Sequence, residues 1–133
     1  MTSPKILLIE DNEMNRQVVR DMLAVAGLQI DEASNGPEGL RMLDQKRHDV
    51  LLVDLRMPGM DGFDVIQKVR RRRDELSTMA IVVISGDDGL HLRSDCLRAG
   101  ADDLIAKPVS MQDLFDSIGA VLAKRALLGG LIC

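Results

Sequence analysis

The stretch Val50-Leu51-Leu52-Val53-Asp54 constrains this chain more than any other. Four apolar residues run without polar alternation and end in a carboxylate, and Leu55-Arg56-Met57-Pro58-Gly59-Met60-Asp61-Gly62 follows. A short, unbroken apolar run bounded by turn residues reads as a strand buried on both faces, the habit of parallel sheets. Pro58 and Gly59 force a loop directly afterwards. Asp54 is therefore delivered to the carboxyl end of a central strand, where open α/β sheets bind their ligands.

Lys5-Ile6-Leu7-Leu8-Ile9 is a second run of the same kind and ends in Glu10-Asp11. Two buried strands thus bring three carboxylates to one edge. Like charges held close repel unless a cation or a proton intervenes. Hard divalent cations take oxygen ligands, commonly one or two carboxylates with waters and a phosphate. Glu10, Asp11 and Asp54 are accordingly a candidate Mg²⁺ site.

The rest of the chain alternates strand and helix. Asn12 can cap a helix with a stripe of Met14, Val18, Val19, Met22, Leu23 and Ala26, stopped by Gly27. Gln29 to Ala33 is a more polar strand, expected at a sheet edge. A helix after Asn35-Gly36-Pro37 carries Leu40 and Leu43, and Asp61 can cap a helix with Phe63, Ile66 and Val69. Arg70 to Arg73 read as that helix's solvated last turn, favoured by the helix dipole. Met79 to Ile84 is a further buried strand, ending at Ser85-Gly86, and a helix from about Leu90 to Ala99 follows with Cys96 as apolar filler. Asp103 to Ala106 is a short fifth strand before Lys107-Pro108. Ser110 and Asp113 have capping-box spacing ahead of a helix with Leu114, Ile118, Val121 and Leu122. Five strands alternating with five helices predict a parallel sheet covered on both faces, with right-handed crossovers.

Composition narrows the function. At 133 residues the chain makes one domain, and a net charge of -4 argues against direct nucleic-acid binding. With aromatics at 2% and neither Trp nor Tyr, stacking platforms for flavins or bases are absent. Cys96 and Cys133 share no motif and read as reduced thiols of a cytoplasmic protein. No run approaches the roughly 18 apolar residues of a membrane span. The apolar stretch from Ala126 to Cys133, with Gly129-Gly130 inside it, is compatible with a longer helix, a partner contact or a removed segment.

Four strand ends now carry polar groups: Glu10-Asp11, Asp54, Ser85 and Lys107. A phosphoryl group needs a cation on its oxygens, a hydroxyl donor and a fixed ammonium. The carboxylates supply the cation site, Ser85 the hydroxyl and Lys107 the ammonium. Asp54 is a competent nucleophile for an aspartyl phosphate, and no Walker motif points to a nucleotide.

In Ile9-Glu10-Asp11-Asn12, Val53 to Gly62, Ile84-Ser85-Gly86, Ala99-Gly100-Ala101-Asp102-Asp103 and Lys107-Pro108, the chain resembles the receiver domain of two-component response regulators. Glu10-Asp11-Asn12 with Asn15 looks most like receivers of hybrid sensor histidine kinases. The resemblance implies a flavodoxin-like (βα)5 fold with sheet order 2-1-3-4-5, a receiver domain over 1–124 and a C-terminal tail over 125–133. It implies that Asp54 accepts a phosphoryl group from a histidine kinase or a histidine phosphotransfer protein. Asp11, Asp54 and the backbone carbonyl of Arg56 would ligate Mg²⁺ (or Mn²⁺), with Glu10 reaching it through water, and Ser85 and Lys107 would bind phosphoryl oxygens. The Lys107–Pro108 bond would be cis. A homodimer through the face of the fourth helix, fifth strand and fifth helix is a candidate assembly. One departure stands out: Leu104 occupies a position where many receivers carry Tyr or Phe, so the response to phosphorylation is expected to be built differently there. A phosphorylation-independent pseudo-receiver is the alternative, and a phosphatase working through an aspartyl phosphate is a third reading. Arg56 and Asp87, each two residues past a site residue, are expected to flank the entrance and to pair across it.

Overall fold

The computed structural model describes residues 3–87 and 89–132, with side chains followed to Leu127. Its elements are β1 (Ile6–Ile9), α1 (Glu13–Val25), β2 (Ile30–Ala33), α2 (Gly36–Gln45), β3 (Val50–Asp54), α3 (Gly62–Arg70), a 3-10 turn (Glu75–Thr78), β4 (Ala80–Ser85), α4 (Leu92–Ala99), β5 (Asp103–Ala106) and α5 (Met111–Ile132). The five strands form one parallel sheet of order β2-β1-β3-β4-β5, the expected flavodoxin-like arrangement.

The unbroken apolar runs are explained by two cores. Along β3, Leu51 and Val53 enter the layer under α2, α3 and α4, while Val50 and Leu52 enter the layer under α1 and α5. Leu7 and Ile9 of β1 divide from Ile6 and Leu8 in the same way, as do Ile81 and Val83 from Val82 and Ile84 in β4. Successive side chains of a strand point to opposite faces, so only strands covered on both sides tolerate such runs. β2, with Asp31 and Glu32 half-buried, is the polar edge strand the sequence suggested.

The caps follow the sequence closely. Asn12 accepts from the Asn15 amide at 3.0 Å and Asn35 from the Glu38 amide at 2.8 Å. Asp61 and Asp64 form a reciprocal capping box at 2.9 and 3.1 Å, and the Ser110 hydroxyl accepts from the Asp113 amide at 3.1 Å.

Two readings of the sequence change. The stripe of α1 is buried at Val19 and Leu23, but Met14 and Val18 are 75% and 46% exposed. The four arginines are not one solvated turn. Arg71 and Arg73 are exposed, but Arg70 folds back over the α4–β5 loop, donating to the carbonyls of Gly100 (2.9 Å), Ser77 (2.9 Å) and Met79 (2.8 Å) and to Asp102 (3.2 Å). Arg72 is half-buried and bridges Asp74 and Asp44. α5 runs on to Ile132, one of the options left open for the apolar stretch, with Arg125 paired to Asp102 at 2.6 Å. Cys96 is buried as expected, and Cys133 lies outside the described residues. Among the described residues, no helix is long and apolar enough to cross a membrane.

Candidate phosphoryl-acceptor site

Parallel register brings the polar strand ends side by side. Ile9 pairs with Val53, Asp54 with Ile84, and Ser85 with Ala106. Glu10, Asp54, Ser85 and Lys107 therefore emerge together at the carboxyl rim of the sheet. Glu10, Asp54 and Ser85 are each at most 3% exposed, whereas Asp11 is exposed on the turn into α1. The loop after Asp54 lies tightly on the strand end. The Gly62 amide donates to the Leu55 carbonyl at 2.9 Å, and a Cβ at Gly62 would sit 2.7 Å from the Asp54 carbonyl oxygen. Glycine is required there by close approach.

Oxygens of Glu10, Asp11 and Asp54 lie within 4.8 Å of one another. The Lys107 ammonium is 3.3 Å from Glu10 Oε2 and 3.3 Å from Asp54 Oδ2. The Lys107–Pro108 bond is cis. Glu10 Oε1 also accepts from the Asn12 amide and from Asn15 Nδ2, both at 3.2 Å. Burial pushes the Asp54 carboxyl up to about 6; its hydrogen bond with Glu10 and the Glu10 charge add to this, and Lys107 opposes it. Burial would also raise Glu10, but hydrogen bonds from Asp54 and Asn15 and the charge of Lys107 outweigh it and hold Glu10 below the usual carboxylate range. The two carboxyls therefore titrate as a coupled pair, with Asp54 the member pushed up.

This donor set suits a hard divalent cation. Three carboxylates and one ammonium leave net negative charge in a partly dry pocket, and all the ligand atoms are oxygens. Arg56 is in the loop beyond Asp54; its side chain turns outward, and Nε donates to Asp87 Oδ2 at 2.6 Å. The expected pairing of Arg56 with Asp87 is present. Ser85 Oγ accepts from the Asp87 amide at 3.0 Å, which leaves its own proton free to donate. Leu104 is half-buried and packs on the core beneath α2 to α4.

Two residues of α1's first turns were not singled out as site residues. Asn15 and Arg16 both reach back to Glu10, Arg16 through the backbone carbonyl at 2.7 Å. Their spacing of five and six residues past Glu10, just inside a capped helix, is the signal that could have revealed them.

The response regulator receiver domain family matches residues 6–119. The chain is 33% identical to the response regulator MprA of Mycobacterium ulcerans over 125 residues, which is 94% of this chain and 53% of that protein. It is 30% identical to hybrid signal transduction histidine kinase L of Dictyostelium discoideum over 86% of this chain and 7% of the kinase. The chain therefore spans about half of the first and a small part of the second. Among solved structures, a response regulator receiver domain protein from Clostridium thermocellum superposes with a TM-score of 0.85 at 28% identity, covering 95% of this chain and 99% of the other.

Proposed function

The chain belongs to the response regulator receiver domain family of two-component signalling, and on that premise we propose that Asp54 is its phosphoryl acceptor. The observation that carries this reading is the Lys107 ammonium, 3.3 Å from both Glu10 and Asp54 beside the Asp11 carboxylate. An Asp54 oxygen attacks phosphorus, the phosphorus–nitrogen bond of a phosphohistidine breaks, and the departing imidazole takes a proton. Lys107 pairs with one phosphoryl oxygen, and the Ser85 hydroxyl donates to another. Asp11, Asp54 and the Arg56 backbone carbonyl would hold Mg²⁺ (or Mn²⁺), with Glu10 reaching it through water. When bound, the cation neutralises charge on the phosphoryl oxygens. The donor is a histidine kinase or a histidine phosphotransfer protein. Exposed Met14 and Val18 support its docking on α1, because Val18 also lines a small, mainly apolar cavity of about 140 Å³ with Lys107, Pro108 and Val109 beside Glu10.

Acetyl phosphate with Mg²⁺ separates this reading from its rivals. One phosphoryl group per chain, lost slowly, is expected. No uptake would indicate a phosphorylation-independent module, and rapid repeated release of phosphate would indicate a phosphatase.

The Arg56–Asp87 pair joins the loops that follow Asp54 and Ser85, and on this reading it hinders the water that would hydrolyse the acyl phosphate. Arg56→Ala is expected to shorten the lifetime of the phosphorylated protein by roughly two- to five-fold, since an exposed ion pair is a weak barrier. The backbone carbonyl is retained in this variant. A time course of intact mass reads the effect, and an unchanged lifetime would remove the gate.

A further inference from the structure

Beyond this reading, but resting on its cation site, the geometry points to Arg16 as a positioning residue for the metal-binding carboxylates. The strand ladder of β1 ends at Ile9, yet two of the three carboxylates stand on the next two residues. The Glu10 amide donates to the Ala33 carbonyl at 3.0 Å, tying one side of this segment to β2. On the other side the Glu10 carbonyl accepts from Arg16 Nη1 at 2.7 Å. That carbonyl belongs to the peptide unit joining Glu10 to Asp11, so Arg16 sets the plane from which the Asp11 side chain departs.

The guanidinium is itself held on three sides. Besides Glu10 it donates to Glu13 through Nη2, and its Nε lies 3.5 Å from Glu32 Oε1. Glu32 is fixed in turn by two contacts from Arg20 Nη1, at 2.8 and 2.7 Å. The Arg16 side chain is only 15% exposed, so it is ordered by its surroundings and not a free surface charge. A planar fork with several donors is suited to this clamping role in a way that an ammonium is not.

Arg16 is a cation near a cation site. If it acted through charge alone, its removal would tighten Mg²⁺ binding. If it positions the carboxylates, its removal loosens binding, by about 10- to 100-fold as for other outer-shell partners of metal ligands. The test is Mg²⁺ titration of the intact protein followed by amide chemical shifts, with melting temperature in EDTA as a control for folding. Arg16→Met keeps the aliphatic stem and is expected to raise the Mg²⁺ dissociation constant about 10-fold or more, while phosphorylation by acetyl phosphate recovers at high Mg²⁺. Arg16→Lys keeps the charge and is expected to fall between the two, which also guards against a Met variant that does not fold. Unchanged or tighter Mg²⁺ binding in folded variants would overturn the inference alone. A wild-type protein whose amides near Asp11 and Asp54 ignore Mg²⁺ would overturn the cation site and this inference together.

Discussion

Asp54→Asn is expected to make the metal-free protein more stable by about 2 kcal/mol at pH 7.5, raising its melting temperature by roughly 6–10 °C. Asp54 is buried against Glu10, and its carboxyl is pushed up to about 6, so at pH 7.5 the fold holds it ionised at a cost. Asn keeps the shape and removes the charge. Lys107 then retains Glu10 as its partner, which is why the gain falls below the full cost of ionising Asp54. The pH dependence has a definite sign. The folded-state value near 6 lies above the unfolded value near 4, so the native state binds this proton more tightly. Wild type in EDTA therefore gains stability as pH falls from about 7 toward 5, and the Asn variant lacks this gain. Below about pH 4 both proteins weaken. Asp31, held low by its hydrogen bond to His48, and Asp103, held low by its bond from Ser117, then lose their charges. Added Mg²⁺ at pH 7.5 should close the gap by stabilising wild type alone. Melting curves in EDTA at several pH values check this. An Asn variant less stable than wild type throughout would mean that the carboxylates are not in conflict.

Asp102→Ala is expected to cost about 3–5 kcal/mol, more than any change at the rim. Asp102 is 5% exposed at the side chain and gathers contacts from three parts of the fold. Oδ2 accepts from the Ile81 amide at 2.9 Å, Arg70 at 3.2 Å and Arg125 at 2.8 Å, while Oδ1 accepts from Arg125 at 2.6 Å and lies 3.6 Å from Lys124. Removing the carboxylate strands a buried amide and two part-buried guanidinium groups, and losing one member of such a set costs far more than the set contributes. Asp102→Asn keeps an acceptor for the Ile81 amide and should cost about half as much. Hydrogen exchange adds a spatial readout: amides of α5 near Arg125 should open earlier in the Ala variant. Denaturant unfolding of the Ala variant at the wild-type midpoint would contradict the hub.

What the sequence showed was governed by burial on two faces. The runs Ile6 to Ile9, Val50 to Val53 and Ile81 to Ile84 admit only central parallel strands, and the polar residue ending each run had to meet its neighbours at one rim. The capping residues Asn12, Asp61 and Ser110 were legible for a local reason, since each acts within three residues of itself. Long-range pairings were not legible. Arg70 looked like one member of a charge run, but it follows Ile66 by one helical turn on the buried side of α3 and is drawn over Gly100. Asp102 and Asp103 are adjacent in sequence and have different fates. Asp102 closes on α3 and α5, whereas Asp103 takes Arg93 and Ser117. His48 is buried with Asp31 at 2.8 Å, a contact between a loop and an edge strand that no local pattern encodes. Helical periodicity identified the apolar residues of α1 but not how far the sheet covers them, and this is why Met14 and Val18 emerged as exposed.

The most direct test of the central claim is intact-mass measurement of the protein incubated with acetyl phosphate, with Mg²⁺ or with EDTA, for wild type and Asp54→Asn in parallel. A gain of one phosphoryl group by wild type with Mg²⁺, little in EDTA and none in the Asn variant is the predicted result. No gain by wild type, or an equal gain when Asn replaces Asp54, would contradict it.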